Sequence, residues 1–415
     1  GDPLRYYVDG LAAAVIRERA TPGCVVLVAR HGQIVLHEAY GHHTYNKRRA
    51  VQKDDIYDLA SITKVGATTI ALMDLVQKGL LDLDKSLGYY LPEMQGTNKD
   101  QLSLREILAH RAALKPWIPF YTSTLDNRGR RMSSAYRSSA GGAFQVPVAP
   151  NIYMHESYID SIWHQIEQSD LRSNNNYRYS DLGFYYLSKV VHRLSGKTLD
   201  RYMEDEFYNS LGLHDIGFNP RNRFSLRRIP PTEVDNYWRK QSVHGYVHDM
   251  GAAMLGGVSG HAGLFGSAHD LAVLAQMMLQ NGVYGNEVYL TADVIETFTT
   301  RFEGASRRGL GFDMKQLDPA RSLNMGNSAS SKAFGHLGFT GTCMWVDPAE
   351  ELVVIFLSNR TYPSMRNNKL NRDSYRSRIH EVAYRSITRS AILPPSVKPL
   401  PASELPNQIE SARQP

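Results

Sequence analysis

Two pairs of strand-like apolar runs sit at opposite ends of this 415-residue chain, and a long helical stretch separates them. Cys24 to Ala29 and Ile34 to Ala39 flank the turn-like His31-Gly32-Gln33. Thr342 to Val346 and Leu352 to Leu357 flank Asp347-Pro348-Ala349-Glu350. Apolar runs bounded by turn residues read as β-hairpins. Apolar spacing at Leu4, Val8, Leu11, Ala12, Val15 and Ile16 predicts a helix over 4–20, and a second helical stretch follows at Arg372–Ile387. The expected fold is α+β. One antiparallel sheet is built from both chain ends and flanked by helices, and a helical insert forms a second lobe.

Between the hairpins, helical patterns recur at Thr63–Lys78, Leu104–His110, Ser157–Gln168, Asp181–Leu194 and His269–Asn281. Long segments at 118–152 and 215–260 read as structureless loops, of the kind that line a site or act as a lid. Residues 1–390 are expected to form one catalytic domain, with a sheet lobe at about 4–58 and 330–390 and a helical lobe at about 59–329. From Ile392 onward six prolines predict an extended tail over 391–415.

Composition excludes several classes. Hydrophobic residues make up 42% and charged residues 21%, which rules out a disordered chain. The net charge of +6 comes without an aromatic-basic stripe, so nucleic acid is not an expected partner. No apolar run approaches the ~20 residues of a membrane span. No signal peptide opens the chain, and Gly1-Asp2-Pro3 reads as a junction from which an upstream segment could have been removed. Cys24 and Cys343 are too few for a disulfide scaffold, leave the redox compartment open, and read as buried thiols on the shared sheet. His244 and His248 have the i, i+4 spacing of zinc ligands, but Gly245 and the absence of a third ligand argue against a metal. Nothing in the sequence calls for a cofactor.

The sharpest chemical signal is Ser61-Ile62-Thr63-Lys64. Spacing of i, i+3 puts Ser61 and Lys64 on one helix face. A serine hydroxyl is a weak nucleophile until a neighbouring base activates it, and a lysine can be that base. The same residues also fit an ordinary helix start with a solvated lysine. Tyr179-Ser180-Asp181 follows at a loop-to-helix junction, where Asp181 is equally suited to N-capping. His336-Leu337-Gly338-Phe339-Thr340-Gly341-Thr342 leads into the last strands, as a glycine-rich turn or an edge that a substrate backbone can approach.

The ordered set Ser-x-x-Lys, Tyr-x-Asp, His-x-Gly resembles the penicillin-recognising serine hydrolases, which include serine β-lactamases, D,D-peptidases and related esterases and amidases. The resemblance spans roughly residues 5–390 and is greatest to the class C-like branch. It implies a β-lactamase/transpeptidase-like fold with Ser61 as the acylated nucleophile and Lys64 with Tyr179 as the proton-transfer pair. It also implies an oxyanion hole from the backbone N–H groups of Ser61 and Phe339, and substrate contacts from Asp181, His336, Leu337 and Gly338. Asparagine is commoner where Asp181 stands, and lysine is common in β-lactamases where His336 stands. No Glu-x-x-Leu-Asn is present. These departures weigh against efficient β-lactam hydrolysis.

A narrower resemblance runs through Pro231-Thr232-Glu233, Val247-His248-Asp249 and Leu255-Gly256-Gly257-Val258-Ser259-Gly260-His261-Ala262-Gly263-Leu264-Phe265. It is to a bacterial subgroup encoded beside, or fused to, β-N-acetylglucosaminidases of cell-wall recycling. The implied function is hydrolysis of amide bonds in peptidoglycan-derived muropeptides, as an N-acetylmuramoyl-L-alanine amidase or a D,D-carboxypeptidase. The implied setting is periplasmic or otherwise extracytoplasmic, with the cytoplasm as the alternative, and the implied partner is a small peptide or glycopeptide. A β-lactamase, a carboxylesterase and a non-catalytic penicillin-binding sensor are the competing readings. Trp117, Phe120, Tyr121, Tyr237 and Trp238 are candidates to stack on sugar or peptide. Arg128, Arg130 and Arg131 are candidates to pair with stem-peptide carboxylates.

Overall fold

The end hairpins join in a single sheet in the computed structural model, which describes residues 2–303, 307–321 and 323–389. Strands β1 (Gly23–Arg30), β2 (Gln33–Gly41), β3 (Asp313–Met314), β4 (Phe334–Leu337), β5 (Cys343–Asp347) and β6 (Leu352–Ser358) pair antiparallel in the order β3-β4-β5-β6-β1-β2. The seam between the chain ends is β1 against β6, with Val26 opposite Phe356. An isolated hairpin is marginal in water, so pairing the two secures both.

The β1 run is continuously apolar because both faces of the sheet are covered. Side chains alternate along a strand. Val25, Leu27 and Ala29 therefore join Ile355 and Leu357 in the inner core, while Cys24, Val26 and Val28 join Trp345, Val354 and Phe356 in the outer one. Each fully buried Val, Leu or Ile contributes about 1.5–3 kcal/mol. Cys24 and Cys343 are both buried thiols, as expected, and burial pushes them up to about 12 and about 11.

Helices α1 (Pro3–Arg17), α2 (Thr69–Gln77), α3 (Leu182–Ser195), α4 (Ala268–Leu279) and α5 (Tyr375–Arg389) frame the sheet and site. Leu4, Val8, Ala12 and Val15 repeat at helical spacing and seat α1 beside α5 on the outer face. Asp2 caps α1 by accepting from the Leu4 N–H at 3.0 Å. The helix stops short of the expected residue 20 because Arg19 turns to a positive φ of 56°. On the inner face α4 packs against β1, β5 and β6.

Four expectations need correction. The 118–152 segment is not structureless: Tyr136–Arg137, Phe144–Ala149 and Ile152–His155 form a three-stranded sheet. Within 215–260, Glu233–Asp235 and Gln241–Val243 form a hairpin and Met250–Met254 a short helix. The expected helix over 63–78 is a 3₁₀ turn at Ala60–Ile62, a π turn at Lys64–Thr68, then α2. The sheet draws β3 from residues upstream of the 330 boundary. The tail expected at 391–415 lies outside the described residues.

A buried histidine makes outer-core stability depend on pH. His380 stacks on Trp345 at 6.0 Å and accepts from the Gly326 N–H at 3.0 Å. Burial pushes its pKa down to about 3. The unfolded chain then binds a proton there below about 6.5 that the native state refuses, so stability is lost as pH falls from about 6.5 towards 3. The slope from this group is at most about 1.4 kcal/mol per pH unit. His380→Gln is expected to flatten the denaturant-unfolding free energy between pH 6 and 4 relative to wild type. Parallel curves would remove His380 from the acid sensitivity.

Candidate active site

The nucleophile candidate sits on a tight turn that the sheet holds in place. Tyr57–Asp58 pairs with Leu264–Gly266, which pairs in turn with Ile216–Phe218. Just beyond, the Leu59 N–H donates to Leu264 O at 3.0 Å. Ala60 takes a left-handed φ of 48°, costly for a residue with a Cβ, and its N–H is held by Asp58 Oδ1 at 2.9 Å. Thr63 Oγ1 donates to Ala60 O at 2.7 Å and accepts from the Leu264 N–H at 3.0 Å. Ser61 therefore stands on a pinned turn ahead of the helix rather than on a regular α-helical face.

Two proton carriers converge on it. Lys64 Nζ and Tyr179 Oη each lie 3.0 Å from Ser61 Oγ. Lys64 is fully buried, which excludes the solvated-lysine reading. Its ammonium also donates to Asp181 Oδ1 at 2.7 Å and to His261 O at 3.1 Å. Burial works against that charge, but the Asp181 carboxylate and Tyr179 outweigh it and hold the lysine above its usual range. Burial raises the Tyr179 phenol, against a lowering by Lys64. At rest Ser61 Oγ thus accepts from an ammonium and a neutral phenol. Asp181 does not N-cap α3, since its side chain faces Lys64.

Gly260 brings His261 O within reach of Lys64. A Cβ at Gly260 would lie 2.1 Å from Phe184 O, so only glycine lets this loop press onto α3. Thr68 Oγ1 clamps the loop from the other side, donating to Gly260 O at 2.7 Å.

The opposite wall is the turn after β4. Thr340 Oγ1 donates to Asp58 O at 2.7 Å and Thr342 Oγ1 to Leu59 O at 3.1 Å, stitching this turn to the segment that presents Ser61. Gly338 packs against the same carbonyl, where a Cβ would lie 2.6 Å from Leu59 O and 1.9 Å from Thr342 Oγ1. Phe339 is half exposed beside this junction, with its ring against His248 at 5.6 Å.

The third motif is placed as its strand alternation dictates. His336 points inward, its ring 5.8 Å from that of Tyr179, and is 3% exposed. Both ring nitrogens are engaged. Nε2 accepts from Arg308 Nη1 at 3.2 Å, so Nδ1 carries the proton and donates to Leu337 O at 2.7 Å. Burial, then the charges of Arg308 and Lys64, keep the ring neutral, far below its usual range. Leu337 points to the outer core, so only its backbone faces the site.

Arg308, Tyr177 and His110 were not singled out from sequence, whereas Glu233, Tyr237, His248 and His261 were named there in other roles. Arg308 joins His336 to Tyr177 Oη, at 3.0 Å from Nη2. His110 stacks under Tyr179 at 4.5 Å and accepts from the Ser180 N–H at 3.2 Å. His261 stacks on Tyr185 at 4.2 Å and bridges Ser259 Oγ at 2.9 Å and Asp249 Oδ1 at 2.8 Å. Glu233 accepts from His248 Nε2 at 2.8 Å and Tyr237 Oη at 2.9 Å. Asp58 Oδ2 holds the His248 N–H at 2.7 Å. The stretches around Glu233, His248–Asp249 and Ser259–Gly263 are thus one buried polar scaffold behind the site.

Other candidates sit elsewhere. Trp238 is fully buried, with Nε1 donating to Tyr136 Oη at 2.9 Å, and Phe120 is core, so neither is a stacking surface. Trp117 is 41% exposed. Arg131 binds the carbonyls of Trp238 and Arg239, and Arg130 pairs with Asp126. His244 serves the Ile229 carbonyl at 2.6 Å while His248 faces Glu233, so the two do not converge.

Comparison with known proteins bears on the family and the fold. The Beta-lactamase family model matches residues 8–375. A protein of Salmonella schwarzengrund described as "Putative D-alanyl-D-alanine carboxypeptidase" is 32% identical over 381 residues, covering 84% of this chain and 81% of that protein. A penicillin-binding protein homologue from Caulobacter crescentus superposes with a TM-score of 0.66 at 18% identity, over 93% of this chain and 98% of that one. The hydrolase EstCE1, described as having promiscuous acyltransferase activity, does so at 0.65 and 18%, over 92% and 98%. The last two are likenesses of fold. The family match over residues 8–375 and the 32% identical relative show that this chain is a serine hydrolase that belongs to the beta-lactamase family.

Proposed function

We propose that the protein hydrolyses an amide bond of peptidoglycan-derived muropeptides through an acyl-enzyme on Ser61. The observation that carries this reading is the pair of 3.0 Å contacts from Lys64 Nζ and Tyr179 Oη to Ser61 Oγ. The Tyr179–Lys64 pair acts in the state that has released one proton to solvent, and in that state it takes the Ser61 Oγ proton as Ser61 Oγ attacks the scissile carbonyl carbon. The backbone N–H groups of Ser61 and Phe339 receive the oxyanion. The pair then protonates the leaving amine, and water completes the cycle by attacking the acyl ester. Asp181 holds the lysine charge, the neutral His336 shapes the wall beside Tyr179, and Leu337 and Gly338 offer main chain to the substrate.

The substrate assignment rests on the relatives named for D-alanyl-D-alanine carboxypeptidase activity and on the Asp181 and His336 departures from β-lactamase usage. The same reading gives a periplasmic or other extracytoplasmic setting. It also gives a subgroup that works beside, or fused to, β-N-acetylglucosaminidases, supported by the stretches that form the polar scaffold. Mass spectrometry of a muropeptide digest tests it. Wild type is expected to release either intact stem peptide, as an amidase, or terminal D-alanine, as a carboxypeptidase, and Ser61→Ala neither. An unchanged digest beside rapid cleavage of simple acyl esters would replace the muropeptide reading with an esterase.

A further inference from the structure

Two guanidinium groups lie directly behind the turn that carries Phe339. Arg376, the second residue of α5, donates through Nη1 to Gly338 O at 3.0 Å and to Thr342 O at 2.8 Å, and through Nη2 to Asn371 Oδ1 at 2.7 Å. Arg360, just after β6, donates through Nε to Phe339 O at 2.8 Å, and its guanidinium sits 4.5 Å from the centre of the Phe339 ring. Among the described residues neither arginine forms an ion pair with a carboxylate. Burial pushes Arg360 down to about 10, with Arg376 adding to the effect. The Glu233 carboxylate opposes these effects on Arg360 without touching it, and two close cations with no carboxylate in contact are expensive to keep in a fold. Neutral carbonyls of this turn, and those of Met365 and Asn367, satisfy their hydrogens but not their charge.

The contact to Gly338 O has a chemical consequence. Gly338 C=O and Phe339 N–H belong to one planar peptide unit. A cation hydrogen-bonded to the oxygen of an amide draws electron density toward that oxygen and leaves its N–H a stronger donor, as in any polarised hydrogen-bond chain. The same contact fixes the plane of the peptide and hence the direction of the N–H.

We infer that Arg376 is a positioning residue of the oxyanion hole, acting through the Gly338–Phe339 peptide. It aims and polarises the Phe339 N–H toward negative charge that develops on the substrate carbonyl. Arg360 secures the next peptide of the turn. The inference rests on the reading of the Phe339 N–H as an oxyanion donor, and it assigns a function to an α5 residue that never touches substrate.

The test compares an oxo-ester with its thiono analogue, because sulfur is a poor acceptor and gains little from an oxyanion hole. Wild type is expected to favour the oxo-ester strongly. Arg376→Gln is expected to lower kcat for the oxo-ester about tenfold with KM nearly unchanged, and to change thionoester turnover less than about twofold. Arg376→Lys, which keeps the charge, is expected to recover most of the oxo-ester rate. Equal losses on both esters, or a glutamine variant as active as the lysine one, would reduce Arg376 to a structural clamp. If Arg376→Gln fails to fold, Arg376→Lys decides: its oxo-to-thiono ratio must stay near wild type for the inference to stand. A wild type that does not discriminate between the esters would instead overturn the Phe339 assignment itself.

Discussion

Lys64→Met is expected to lower kcat/KM for an activated ester about a thousandfold, within the usual contribution of a positioned acid–base group. It removes one of the two donors on Ser61 Oγ and the charge that opposes the burial effect on Tyr179. It also strips Asp181 of its 2.7 Å ammonium partner. Breaking a buried ion pair from one side leaves an uncompensated charge and costs about 3 kcal/mol. Loss of activity alone would therefore be ambiguous. The double variant Lys64→Met/Asp181→Asn separates the effects: denaturant unfolding is expected to recover toward wild type while ester turnover stays at the level of the single variant. Recovery of turnover with stability would show that the lysine only holds the fold together.

Gly338→Ala is the second large effect, and it acts from the other wall. The added Cβ meets Thr342 Oγ1 at 1.9 Å and Leu59 O at 2.6 Å. The first is the tip of a side chain, but the second is backbone on the segment that presents Ser61. The turn must move away from that segment and carry the Phe339 N–H with it. Loss of one oxyanion donor costs roughly 10²–10³ in kcat. A drop of about 100-fold in the acylation rate by a fluorophosphonate is expected, with folding measured by near-ultraviolet circular dichroism retained. Wild-type acylation by Gly338→Ala would separate this turn from the reacting centre.

The sheet and the Ser61–Lys64 pair were legible from sequence because their signals are local. Continuous apolar runs ending in turn residues mark β1, β2, β5 and β6, and their placement at the chain ends dictates the seam between Val26 and Phe356. Ser61 and Lys64 are three residues apart, so any helical turn brings them together. Tyr179, Asp181 and His336 came from the ordered motif set, and in the fold Asp181 lies against Lys64, Tyr179 against Ser61 and the His336 ring 5.8 Å from that of Tyr179. Arg308 was invisible for the opposite reason. It reaches His336 from an irregular segment whose sequence has no periodicity, and arginine on a loop reads as surface. Arg376 was hidden inside an amphipathic helix. The supposed loops misled because their strands are only two to six residues long, too short for alternation to register. Trp238 looked like a stacking platform because an aromatic pair in a polar segment gives no hint that its indole N–H finds Tyr136 inside.

Ser61 Oγ is expected to form the covalent intermediate, and peptide mapping after fluorophosphonate treatment locates it. Wild type is expected to carry one adduct, on the tryptic peptide containing Ser61, and Ser61→Ala none. Lys64→Met is expected to label on the same residue far more slowly. An adduct on any other serine, or equal labelling of Ser61→Ala, would remove Ser61 from the role of nucleophile.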